Sequence, residues 1–166
     1  MTGRAYVTTT LIKNGCVCND DYTFVADYAP LPEGAVVVTL TRLRRERGEL
    51  LARNTPLGVK LASDQSPEAL GSDLDHLSLV VLEFPKFRDG RSFSWARLLR
   101  TRLCFKGEIR ATGDFLYDQL AFMVRVGFDA FEMQGSPEAF GRALAEISNV
   151  YQPSADGRKT ILDLRR

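Results

Sequence analysis

A chain of 166 residues, 45 % of them apolar, is long enough to bury one sizeable core and too apolar to be disordered. Lysine plus arginine (22) against aspartate plus glutamate (21) leaves a net charge of +1, which argues against a general nucleic-acid binder of the usual strongly basic kind. Three cysteines, Cys16, Cys18 and Cys104, are too few and odd in number for a disulfide framework, and no apolar run approaches the roughly 20 residues of a membrane-spanning helix. The opening MTGRAYVTTT lacks the apolar segment of a signal peptide, so the expected compartment is the cytoplasm, with reduced thiols.

In chain order, LIKNGCVCNDDYTFVA places Asn14-Gly15 between short apolar runs, which predicts an N-terminal β-hairpin. A loop with Pro30, Pro32 and Gly34 follows, so residues 10–34 read as hairpin and loop. A strand–helix rhythm then sets in over residues 35–152. The strands are AVVVTL, LGVKLA, LSLVVLEF, GEIRAT and DAFEM. The helices are TRLRRERGELLAR, SPEALGSDLDHL, SFSWARLLRTRL, DFLYDQLAFMVRV and SPEAFGRALAEISNVY. Ser66-Pro67 supplies an N-cap with proline at the first helical position, and SPEAFG repeats that start at 136–141. The echo reads as reuse of good helix-start chemistry, with an old βα duplication as the other reading.

The expected fold is therefore α/β: about five βα repeats forming a mainly parallel sheet, either partial TIM-barrel-like or open and doubly wound, after the hairpin. Residues 1–152 make one domain, and residues 153–166 read as a loosely held tail. Both architectures put function at the C-terminal ends of the strands, where Lys60, Glu83, Arg110 and Glu132 lie.

Chemistry concentrates at one strand-to-helix corner, EFPKFRDGRSFSWARLLRTR. Lys86, Arg88 and Arg91 precede a helix that Ser92 or Ser94 can cap, and a helix start attracts anions. The functional reading is a pocket for a small oxyanion or phosphate, or a face for an acidic partner. The bland reading is a solvated loop in which Asp89 pairs an arginine and Asp89-Gly90 turns the chain. Trp95, Leu98, Leu99 and Leu103 form a core stripe, with Arg97 and Arg100 off it as a docking surface or a solvated basic face. At the next corner Arg110, Asp114, Asp118 and Gln119 could line the same site, although Asp114 is most simply an N-cap. Glu83 and Glu132 would complete an inner ring of carboxylates, or pair with Lys60 and Arg110.

There is no G-x-G-x-x-G, Walker loop or G-x-S-x-G elbow, and one histidine, His76, offers neither a triad nor a metal or haem centre. No cofactor and no metal is therefore expected, and any redox centre would belong to a partner.

The blocks LARNTPLGVKL, LEFPKFRDGRSFSWARLLR and GEIRATGDFLYDQLAFMVRVGFDAFE resemble a bacterial domain-of-unknown-function family, DUF934, over residues 51–152; LIKNG matches its LIK-x-G start. Cys16 and Cys18 depart from its pattern. The resemblance implies a context rather than a mechanism: such proteins are often encoded beside assimilatory sulfite or nitrite reductase and carry an oxidoreductase label. The resulting expectation is an accessory protein or small subunit that docks on such a reductase through its basic surface, without nucleic acid or membrane. The alternative is an anion-binding α/β enzyme or sensor built from Lys86, Arg91, Arg110 and Asp114.

Overall fold

A computed structural model describes residues 10–13, 15–133, 137–145 and 150–165. Near the N-terminus, β1 (Thr10–Lys13) and β2 (Cys16–Cys18) form the expected hairpin, with Gly15 in its turn; Asn14 lies outside the described residues. A short β3 (Tyr22–Phe24), absent from the sequence reading, pairs in parallel with β4 (Ala35–Thr39). The rest of the sheet is β5 (Leu57–Leu61), β6 (Leu79–Phe84), β7 (Glu108–Gly113) and β8 (Ala130–Met133).

The strand order is β2-β1-β8-β7-β6-β5-β4-β3. From β3 to β8 each strand lies beside its predecessor and parallel to it, while β1 runs antiparallel to both β8 and β2. The sheet is therefore mixed rather than the mainly parallel one expected. The cause is the hairpin, which pairs back against the last strand instead of standing apart. A doubly wound sheet reverses its order at a switch point; this one does not, and it curls into a half-barrel. Chain length enforces the curl. A flat eight-stranded sheet would hold its edges roughly 34 Å apart. The residues 19–21 that join the two edges allow at most about 15 Å between the Cα atoms of Cys18 and Tyr22.

Side-chain alternation gives the sheet two unlike faces. Val38, Val59, Leu82, Ile109 and Phe131 point outward into the main core beneath the helices. The inner face carries a small apolar cluster, Val37, Leu79 and Val81 with Tyr22 against it, and a set of charges described below.

The helices differ from the sequence reading in places. The first breaks at Glu46 (φ −112°, ψ 27°) into α1 (Leu40–Arg45), capped by Thr39, and α2 (Arg47–Leu51). SPEALGSDLDH keeps its Ser66 cap and Pro67 start but is 3₁₀ over Pro67–His76, with a kink at Gly71 (φ 52°, ψ −131°). A side chain there would be strained, and the short polar residues that follow favour turns over a continued α-helix. α3 (Arg91–Thr101) starts after Gly90, not after a serine: Ser92 is buried and donates its hydroxyl to the Glu83 carbonyl at 2.8 Å. Asp114 caps no helix either. The chain passes through a 3₁₀ turn (Tyr117–Gln119) before α4 (Leu120–Val126), and Gln119 accepts from the Leu116 N–H at 2.9 Å. α5 is Pro137–Ala145 and α6 is Ile161–Leu164, the latter held by a Thr160–Asp163 capping box.

Candidate functional site

At the top of β6 the chain turns through Pro85–Gly90, where the Asp89 N–H donates to the Lys86 carbonyl at 2.9 Å. Arg91 folds back on Asp89 with two hydrogen bonds, 2.9 and 2.6 Å, and also donates to the Ser63 hydroxyl at 2.8 Å. The Arg91 hydrogen bonds hold the Asp89 carboxyl far below the usual carboxylate range. Ser63 is buried, and its carbonyl accepts from the Trp95 indole at 2.9 Å, so Arg91 is committed to fixing the loop.

A second loop locks the first. β7 ends at Gly113 (φ 100°), where a Cβ would strike the Phe84 carbonyl, so only glycine lets the strand ends approach this closely. Asp114 follows, and its carboxylate accepts from the Phe87 N–H at 3.3 Å. Gln119 donates to the Phe87 carbonyl at 3.2 Å while its own oxygen takes the Leu116 N–H. Asp114 and Gln119 thus brace the basic loop rather than line a pocket.

What this bracing presents outward is partly apolar. Phe87, Leu116 and Phe122 are 39 %, 44 % and 53 % exposed. Phe122 packs its ring 5.6 Å from that of Phe93, and Arg97 lies one turn along α3 from Phe93 on the same side. Arg88 lays its guanidinium 5.3 Å from the Phe87 ring centre. Lys86, Arg88 and Arg97 are exposed, and none makes an ion pair among the described residues. The surface is an aromatic patch with a cationic rim.

Arg100 does not belong to it. Its guanidinium donates to the carbonyls of Gly127 (3.0 Å), Phe105 (2.7 Å) and Gly107 (2.8 Å), and pairs with Asp129. It staples α3 to the entrances of β7 and β8.

Arg110 lies elsewhere again, on the inner face of the half-barrel and only 2 % exposed. It donates to Asp20 (2.8 Å), Glu108 (2.9 Å) and Glu132 (3.1 Å), with the Tyr22 ring 5.7 Å away. Burial works against its charge, but the hydrogen bonds to Asp20 and Glu108 outweigh it and raise the guanidinium pKa above its ordinary value. Glu132 also takes the Thr112 hydroxyl at 2.9 Å, Glu83 takes Lys60 at 2.7 Å, and Glu108 takes Lys13 at 2.6 Å. Glu83 and Glu132 do share one face, each bound to a cation. Around this network is a cavity of about 260 Å³ that also touches Phe24 and Val37. Among the described residues no group of three or more His, Cys, Asp or Glu is placed to hold a metal ion.

The residues of the anion-site expectation therefore do not converge. Lys86 and Arg91 sit on the outer loop, Asp114 braces that loop, and Arg110 is enclosed by carboxylates on the inner face. Sequence reasoning missed the apolar half of the outer surface, although FPKF and DFLYD signal it by setting Phe87 and Leu116 among charged loop residues. It also missed Glu108, two residues from Arg110 on β7, and it missed Lys13 and Asp20, which the return of the hairpin and the edge-to-edge link bring to Glu108 and Arg110. Cys16, Cys18 and Cys104 are free and exposed.

No curated protein and no solved structure matches the chain. The model of one family, described as "Bacterial protein of unknown function (DUF934)", matches residues 58–162, and the chain belongs to that family.

Proposed function

We propose, with membership of this family as the premise, that the protein is a cytoplasmic accessory factor or small subunit that docks on an acidic, partly apolar face of a larger enzyme. The partner to which the family resemblance points is assimilatory sulfite or nitrite reductase. On this reading the redox centre is the partner's, and this chain contributes a binding surface. Residues 35–152 are read as βα units of a partial barrel, with the docking loops at the strand ends where barrel folds carry function.

The observation that supports the reading is the patch itself. Phe87, Leu116 and Phe122 are exposed together beside Lys86, Arg88 and Arg97, in a chain whose total charge is only +1. Aromatic residues and arginine are over-used at interface centres. Large apolar side chains held outward by a braced loop have no role in the core. A small-oxyanion site has less to rest on, because Arg91 and Arg110 already spend their guanidinium groups on carboxylates.

The test is a binding assay between purified sulfite reductase and two variants, Arg88→Glu/Arg97→Glu and Phe122→Ser, each checked for folding by circular dichroism. Both are expected to weaken binding at least tenfold. Wild-type affinity in both folded variants overturns the docking surface. A wild-type protein that binds no reductase overturns the choice of partner.

A further inference from the structure

Cys16 and Cys18 belong neither to the docking surface nor to the core. They are the two ends of β2, an edge strand paired only with β1, and both are exposed and free. Side chains two apart on a strand share a face. Strand pairing identifies that face: Cys18 lies opposite Leu11, Leu11 opposite Glu132, and Cys16 opposite Lys13. Both thiols therefore stand on the inner face of the half-barrel, in the same rows as Glu132 and Lys13. Cys18 lines a cavity of about 380 Å³ beside Asn19 and Asp20, so the pair is open to solutes. Its thiol leans back along the strand toward Cys16, where Sγ donates to the Cys16 carbonyl at 3.6 Å.

Spacing decides what such a pair can do. A strand advances about 3.3 Å per residue, so the two Cβ atoms stand roughly 6.6 Å apart. A disulfide needs them about 3.8 Å apart, so this pair cannot close one without distorting the strand. A metal ion held between two thiolates asks for less. With metal–sulfur bonds of about 2.3 Å, as for zinc, a linear sulfur–metal–sulfur unit spans about 4.6 Å, and side chains that lean together from about 6.6 Å reach that. Thiolate donors select soft ions such as copper(I) and zinc. Structural zinc takes four ligands, but among the described residues no group of three or more His, Cys, Asp or Glu is placed to hold an ion. The nearby carboxylates of Asp20 and Glu132 are hard donors already bound to Arg110. Copper(I) is satisfied by two thiolates. Each thiol gives up its proton to solvent on binding, so the loaded pair carries a net negative charge. Lys13, whose ammonium reaches Glu108, stands opposite Cys16 and offsets part of it. We infer that Cys16 and Cys18 form a two-coordinate site for copper(I) on the inner face of the half-barrel. The site shares no residue with the docking surface.

The untagged full chain, reduced and free of oxygen, is titrated into copper(I) held by ferrozine, a coloured competitor of moderate affinity. One copper(I) per chain is expected to pass to the wild type, and X-ray absorption is expected to find two sulfur neighbours on the metal. Cys16→Ser and Cys18→Ser, folded by circular dichroism, are each expected to bind copper(I) at least tenfold more weakly. Cys104→Ser, which keeps the pair, is expected to bind like the wild type. Failure of the wild type to take copper(I) from the competitor overturns the site. Wild-type affinity in either Cys16→Ser or Cys18→Ser, or loss of binding in folded Cys104→Ser, overturns the assignment to this pair. One copper per two chains, or a third sulfur or nitrogen neighbour, overturns two-coordination within one chain; the wild-type measurements stand whether or not the variants fold.

Discussion

Arg97 and Arg100 are one turn apart on α3, yet they have opposite roles. Arg97 is exposed and unpaired among the described residues, whereas Arg100 binds three carbonyls and Asp129 and leaves its side chain 17 % exposed. Sequence puts both on the basic side of the helix. What separates them is the tertiary position of the Gly127–Asp129 turn, which no helical periodicity encodes. Arg97→Glu is expected to change stability by no more than about 0.5 kcal/mol. Arg100→Glu removes a mostly buried guanidinium from three carbonyls and from the partly exposed Asp129, and sets a carboxylate against them. It is expected to cost about 3 kcal/mol or more and to lower the melting temperature by roughly 6–12 °C. Thermal denaturation of the two variants side by side checks this; equal melting temperatures would contradict the staple. The same distinction explains why Arg97, and not Arg100, enters the docking test.

At the scale of elements, capping chemistry reads well from sequence and element type reads less well. SPEAL and SPEAF begin alike, but the first becomes a kinked 3₁₀ segment, whereas Pro137–Phe140 of the second lie in α5 and Ser136 is outside the described residues. The difference lies downstream: Gly71-Ser72-Asp73 interrupts a helix, whereas Gly141 is followed by Arg142-Ala143-Leu144, good helix formers that carry through it. The strands β4 to β8 are legible as β-branched or apolar runs. β3 is not, because three residues are too few to show a period and its pairing is set by the link. Asp73, on the 3₁₀ segment, joins it to α2 by accepting from Arg47 at 2.9 Å, and that hydrogen bond lowers its pKa. A lowered folded pKa means that the unfolded chain takes up the proton first. The contribution is present above the unfolded value of about 4 and is lost as pH falls through the folded one. Asp73→Asn is therefore expected to lose less stability than the wild type between about pH 6 and about pH 3, read as urea midpoints. An equal or larger loss in the variant would contradict the pair's role. The effect is modest, since Arg47 is half exposed.

For the whole molecule, the decisive feature is the three-residue link across the sheet's two edges. It curls the sheet, encloses Arg110 with Asp20, Glu108 and Glu132, and leaves the inner face occupied by paired charges. Lys86, Arg88 and Arg97, unpaired among the described residues, remain outside, beside Phe87, Leu116 and Phe122. The basic corner was legible in sequence as a cluster of cations; its exposed aromatic content and the withdrawal of Arg100 and Arg110 from it were not, because both depend on long-range contacts. On the proposed reading the inner charges serve structure and the outer ones association. The measurement that tests it most directly is affinity co-purification of the tagged protein from its native host, grown with sulfate as sole sulfur source, at low and at high salt. Recovery of sulfite reductase polypeptides that falls as salt rises is predicted, because exposed charges are screened. Clean recovery of the protein alone at low salt would contradict stable docking.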